Sequence, residues 1–226
     1  MKFIIILAGV FLICSCSSIP PREEPFSVDV NSPRFKAGSI EAYLEKTVSI
    51  TGGLKKNEVA VYYYPEEDAV GLEFKVMYVQ CNQFWDRDGR EAFVKAFERY
   101  QDEYEQRKLA KKGKRTREMY GGVVGFFTWR KTSIGILAHG NPKIKLGYQF
   151  NDQSVFFTTT QLESYYEDPI TRTRNETSPI TLMYFTRAQA ESLIELFKQE
   201  NLRSLGLPAG GSGGKSGSGE GETDRY

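Results

Sequence analysis

The chain has little of what most recognisable chemistries need. Its 226 residues include one histidine and three cysteines. A single imidazole excludes any multi-histidine metal centre, and three thiols are too few for a disulfide framework. Neither sign of charge prevails, with 30 Lys and Arg against 29 Asp and Glu. Nucleic-acid binders are basic over their binding domain, so no nucleic-acid partner is expected. No apolar run reaches the roughly 20 residues that a transmembrane helix takes. What is present is 40% hydrophobic, 13% aromatic and 26% charged residues, the composition of a globular chain with a real core. The length suits one domain plus tails.

The N-terminus carries the most specific signal. Lys2 precedes an uncharged, mainly apolar run from Phe3 to Cys14. The run is too short to span a bilayer and matches the apolar segment of a secretory signal peptide. It leads into Ile13-Cys14-Ser15-Cys16. A small residue followed by cysteine at this place resembles the lipobox of bacterial lipoproteins, with Cys16 as the lipidated residue. That family prefers Leu at the first position and Ala or Gly at the third, where this chain has Ile13 and Ser15. Cys14 competes as acceptor, but the bulky Ile13 before it suits the peptidase poorly.

The resemblance covers residues 1–18 and implies a location rather than an activity. Residues 1–15 would be the signal peptide, and Cys16 the first mature residue, carrying acyl chains such as palmitate. The membrane would be a partner through that anchor, in the bacterial cell envelope at the outer membrane, with the leaflet open. Each buried CH₂ contributes about 0.8 kcal/mol, so several chains make detachment slow. A cleaved signal without lipid is the plainer alternative, and an uncleaved anchor is another. Loss of residues 1–15 removes Lys2 and no acid, leaving 29 bases against 29 acids and no global field to steer anionic partners.

Composition divides the rest. Residues 16–37, with Pro20, Pro21, Pro25 and Pro33, read as an extended tether. Residues 38–207 read as a single α+β domain, a mainly antiparallel sheet with two main helices packed on one face. Residues 208–226 are Gly/Ser-rich and read as a disordered C-terminal tail. Expected strands are Thr47–Thr51, Val59–Tyr64, Ala69–Cys81, Gly122–Lys131, Ser133–Ala138, Ile144–Phe150, Val155–Thr160 and Ile180–Phe185, with a hairpin turn at Asn151-Asp152. The first helix starts at Asp88, with Glu91 as its capping-box partner, and stops near Gly113. Phe93, Phe97, Tyr100 and Tyr104 fall on one of its faces. Thr186 and Gln189 cap the second, with Ala190, Leu193, Ile194 and Phe197 as its apolar face and Gly206 and Pro208 as its stop. The region from Asp168 to Pro179 reads as loop.

Several motifs fail on context. Ala209 to Ser216 fits a loose phosphate-binding loop, but a helix and Pro208 precede it and no helix signal follows, so no nucleotide is expected. The GxSxG match over residues 210–214 fails likewise. Asp86 and Asp88 suggest the start of a calcium loop whose twelfth position is Phe97 rather than Glu, so no metal is expected. His139 has no nucleophile or orienting partner marked nearby, and no catalytic residue or cofactor is assigned. Cys81, in an apolar run, reads as a buried inert thiol.

Two features remain as candidate contacts. Arg107 to Arg117 holds seven bases in eleven residues. A solvated helix end is the plain reading, and contact of Lys111, Lys112, Lys114, Arg115 and Arg117 with anionic headgroups or an acidic partner is the sharper one. Tyr62 and Tyr64 share one face of a strand and Tyr63 the other, so some rings are candidates for partner contact. The reading reached is a membrane-anchored, non-enzymatic envelope lipoprotein that binds or scaffolds an envelope protein the sequence does not name. A small or lipidic ligand-binding module is the alternative. An envelope hydrolase, needing acid pairs such as Glu66/Glu67 or Glu163/Glu167 beside His139, is a distant third.

Overall fold

A computed structural model of the chain describes residues 26–45, 53–131, 137–167 and 174–205. Chain order gives β1 (Phe35–Glu45), β2 (Leu54–Tyr64), β3 (Ala69–Val76), β4 (Val79–Trp85), α1 (Arg87–Glu105), β5 (Arg117–Val124), β6 (Phe126–Lys131) and β7 (Leu137–Gly140). Then come β8 (Lys143–Asn151), β9 (Ser154–Gln161), β10 (Tyr165–Glu167), β11 (Arg174–Thr177), β12 (Thr181–Phe185), α2 (Arg187–Phe197) and α3 (Gln199–Leu205). Ten strands form one antiparallel sheet in the order β5-β8-β9-β12-β1-β2-β3-β4-β6-β7, while β10 and β11 pair separately.

The sheet curls into a half-barrel because its two ends are parts of one bent ribbon. Only Gly125 separates β5 from β6, and only Asn141 and Pro142 separate β7 from β8. The lower half of this ribbon pairs with β4 and the upper half with β9. The Gly125 N–H donates to the Pro142 carbonyl at 3.1 Å across the bend. A Cβ at Gly125 would stand 2.6 Å from Ile144 Cδ1 and 3.1 Å from the Phe84 carbonyl oxygen, so a larger residue at the bend would have to displace the Ile144 side chain. On the inner side, Gln83 Nε2 of β4 donates to Gln161 Oε1 of β9 at 2.9 Å, joining the two strands that flank the bent ribbon.

The inner face holds the main core. Strand alternation places Ile40, Ala42 and Leu44, Val59, Val61 and Tyr63, and Val70, Leu72 and Phe74 in one cluster with the helices. The α1 rings fill it as their spacing predicts: Phe93 packs edge-on against Phe157, Phe185 and Phe197, and Tyr100 lies against Phe157 and Tyr148. Tyr63 points inward, while Tyr62 and Tyr64 belong to a smaller outer cluster with Phe26, Val28, Ala69, Phe84 and Phe126.

The mainly antiparallel α+β class holds, but the balance differs. Among the described residues there are three helices rather than two main ones, and the sheet dominates. The expected tether folds earlier than composition suggests, because Phe26 and Val28 are buried on the outer face and β1 starts at Phe35. The span Ala69–Cys81 is two strands, turning at Met77-Tyr78. Helix α1 is capped by Asp86, whose Oδ1 accepts the Gly89 N–H at 2.8 Å, not by Asp88. It ends at Glu105, since Arg107 takes a left-handed φ of 52°. The capping box of Thr186 and Gln189 is present at α2, which stops at Phe197 before α3 begins. The expected β8–β9 hairpin is present, but Asn151 pairs with Ser154, so its turn is Asp152-Gln153, one residue later than Asn151-Asp152. The expected strand at 47–51, Cys16 with the signal segment, and the tail from 206 lie outside the described residues.

Candidate functional site

A groove of about 400 Å³ runs between α1 and the α2–α3 pair. Val94, Ile194 and Phe197 give it an apolar floor, and Arg87, Glu91, Lys95, Glu98 and Lys198 a charged rim of both signs. The helix faces explain why it exists. Phe93, Phe97 and Tyr100 turn into the core, so the neighbouring α1 positions Val94 and Glu98 are left on the flank facing α2. On the rim, Arg87 pairs with Glu91 (3.4 Å) and Lys198 with Glu195 (2.6 Å). The Glu195 hydrogen bond raises the Lys198 pKa and keeps it charged.

One end of the groove is fixed by a buried arginine. Arg90 is 3% exposed. Its guanidinium donates to the Asp68 carbonyl (2.7 Å), Asp68 Oδ1 (3.0 Å) and Gln199 Oε1 (2.9 Å). Gln199 Nε2 and the Tyr63 hydroxyl also donate to Asp68 Oδ1. Burial raises the Tyr63 pKa, so that hydroxyl stays a donor. This network holds α1, α3 and the β2–β3 turn in one arrangement. A buried charge with so full a set of partners is structural rather than reactive.

The basic stretch is largely occupied by its own fold. Lys112 Nζ is 3.1 Å from Glu118, Lys114 Nζ 3.9 Å from Asp152, and Arg115 3.9 Å from Glu45. Arg117 Nε donates to Gln149 at 2.6 Å, and Lys111 donates to Gln153 and lies over the Phe150 ring. These bases do share one end of the sheet, at the β8–β9 turn, as a contact surface requires.

The other candidates scatter. His139 is exposed on β7 between the Phe126 and Tyr166 rings. Glu66 and Glu67 accept from Ser32 at the β2–β3 turn, and Glu163 accepts from Tyr165 on β10, the short strand whose Tyr166 ring packs on His139. Cys81 is fully buried, and burial pushes its thiol up to about 12. Among the described residues, no group of three or more His, Cys, Asp or Glu could hold a metal ion. None of their helices is long and apolar enough to cross a membrane.

A family profile described as "Uncharacterised Treponema protein" matches residues 32–204. The chain belongs to this family. An uncharacterized protein of Treponema pallidum (strain Nichols) is 22% identical over 200 residues, covering 87% of this chain and 66% of that protein. The chain thus spans just under two thirds of that relative. No solved structure matches. The matched segment takes in both the groove and the bent ribbon, so the fold described here is the family's shared part.

Sequence reading missed the groove. Ile194 and Phe197 share the apolar face it assigned them, but the spacing gave no sign that this face also borders α1 across an open groove.

Proposed function

We propose that this is a lipid-anchored, non-enzymatic protein of the bacterial cell envelope, held at the outer membrane through Cys16, that binds a partner protein. The observation that carries the anchor is Ser15-Cys16 directly after the apolar run from Phe3. The groove between α1 and α2–α3 supports the binding role. Its apolar floor and mixed-charge rim suit the side chains of a protein segment, and the Arg90 network keeps its walls in place before a partner arrives. The groove's volume also falls within the range of small-molecule sites, so a small or lipidic ligand is the second reading.

Two measurements test this. The mass of the N-terminal peptide from native membranes is expected to be that of acylated Cys16. An unmodified thiol, or a start elsewhere, overturns the anchor. A photo-crosslinking residue at Val94 is expected to capture a discrete envelope protein, while the same residue at the exposed position Glu58 does not. Equal labelling at both positions overturns the groove as the binding site.

A further inference from the structure

The turn between β3 and β4 breaks local rules. Val76 pairs with Val79, so Met77 and Tyr78 are the two loop residues of a tight hairpin. Met77 has a left-handed φ of 53°, at a place where such turns take glycine or asparagine. Both side chains face solvent, Met77 at 60% and Tyr78 at 76% exposure, the highest among the large hydrophobics. Strain kept at an exposed apolar tip points to a use outside the fold.

The surroundings say what the tip meets. Lys75 and Arg130 are exposed one step above the turn, on opposite flanks of Gln80 in the ladder. Glu73, the acid two residues further up β3, is neutralised by Arg34 at 3.1 Å. Two apolar side chains with bases just behind them match the interface of an anionic bilayer, where Met and Tyr enter the acyl boundary and Lys and Arg meet headgroups.

The path of the N-terminal segment fits the same orientation. Phe26 packs on Phe126, which pairs with Phe84, five residues up β4 from Val79. Val28 lies in the same outer cluster as Phe26, and Ser32 reaches Glu67 at the opposite end of β3 from Met77. From Phe26 to Ser32 the chain therefore runs away from the tip. Phe26 stands about 17 Å above the tip at 3.4 Å per strand residue. The ten residues from Cys16 to Phe26 span up to about 33 Å, enough for an anchor at the level of the tip.

We propose that the Met77-Tyr78 hairpin tip, with Lys75 and Arg130, dips into the anionic bilayer that holds the anchor, and so orients the domain with its helical groove facing away. The Arg90 network ties the groove to the β2–β3 turn, at the far end of β3 from the tip. This inference rests on the lipoprotein reading for its tether.

The full chain carrying Tyr78→Trp, purified with its own N-terminus and placed in vesicles of phosphatidylethanolamine and phosphatidylglycerol, tests it. Trp85 and Trp129 are buried and supply a background read from the parent chain. The Tyr78→Trp signal is expected to shift to the blue and to be quenched roughly twofold or more by lipid brominated near the headgroup, with Lys75→Gln plus Arg130→Gln weakening that quenching. Emission that stays water-like and open to acrylamide overturns the proposal. A nitroxide on Met77→Cys, read by its access to oxygen against a nickel chelate, gives an independent answer should the tryptophan variant misfold. The mass of the N-terminal peptide in the same preparation reports Cys16 separately. Acylated Cys16 with a water-exposed tip removes only the tip, and bare Cys16 with a lipid-quenched tip removes only the anchor.

Discussion

The two ends of the bent ribbon are both basic, and they differ in what their charges do. At one end, the stretch from Arg107 to Arg117 is the densest run of positive charge in the chain, yet Glu45, Glu118, Asp152 and Gln149 engage most of its bases within the fold. At the other, Lys75 and Arg130 flank Met77 and Tyr78, and the acid on that face, Glu73, is taken by Arg34. Charge counted along a sequence ranks the first end higher. Charge left over after folding, together with exposed apolar surface, ranks the second.

The largest test of this contrast is in the core that holds the upper end. Phe93 is fully buried against Trp85, Phe157, Phe185 and Phe197. Phe93→Ala should cost about 3–5 kcal/mol in denaturant unfolding. A cost under about 1 kcal/mol would mean that the helices do not hold the curl of the sheet.

Cys81, two residues above the tip turn on β4, reports on the lower end. Its folded pKa of about 12 lies above the roughly 8.5 of an unfolded cysteine. The folded state therefore keeps a proton that the unfolded state releases. Stability from this thiol is full below about pH 8.5 and is lost as pH rises toward about 12, at about 1.4 kcal/mol per unit. Cys81→Ala should flatten the slope between roughly pH 8.5 and 10, before tyrosines titrate. Slow maleimide labelling of Cys81 at neutral pH is the matching observation, and fast labelling would show that the tip end opens.

What the sequence made legible was local. The capping box of Thr186 and Gln189 lies within four residues, and the β8–β9 turn carries its own signal in Asp152, at a φ of 54°, one residue beyond where the sequence puts the turn's start. The turn at Met77-Tyr78 was illegible for the opposite reason: neither residue is a turn former, so an apolar alternation runs straight through it. Strand β1 was hidden by Pro33 just before it and Gly38 within it, and its place in the sheet comes from β2. The groove depends on helices far apart in sequence, joined at one end by Arg90 and Gln199, and no spacing along the chain encodes that contact. The rings of α1 were assigned correctly to one face because helical period alone fixes it, but their partners Phe157 and Phe185 come from strands more than fifty residues away.

The tip itself should matter little to the fold. Met77→Gly removes a bulky side chain from a left-handed position and should raise stability by up to about 1 kcal/mol, read as a higher denaturant midpoint. The same variant should weaken contact with anionic vesicles. Gain of stability with loss of membrane contact is what a strained functional turn predicts. A loss of stability instead would show that Met77 packs for the fold's sake.

The smallest effect is expected at the basic stretch. Its ion pairs are exposed, with Lys112 and Lys114 at 78% and 90% side-chain exposure, and such pairs contribute about 0–1 kcal/mol. Replacing Lys111, Lys112, Lys114 and Arg115 by Gln should leave stability within about 0.5 kcal/mol. It should also leave the lipid quenching of the Tyr78→Trp chain unchanged, because that end of the ribbon points away from the bilayer when the tip is down. If the quadruple change instead abolishes vesicle contact while Lys75→Gln plus Arg130→Gln does nothing, the molecule sits the other way up. The long basic run would then be the membrane surface, and the paired acids beside it would be the groups that headgroups displace.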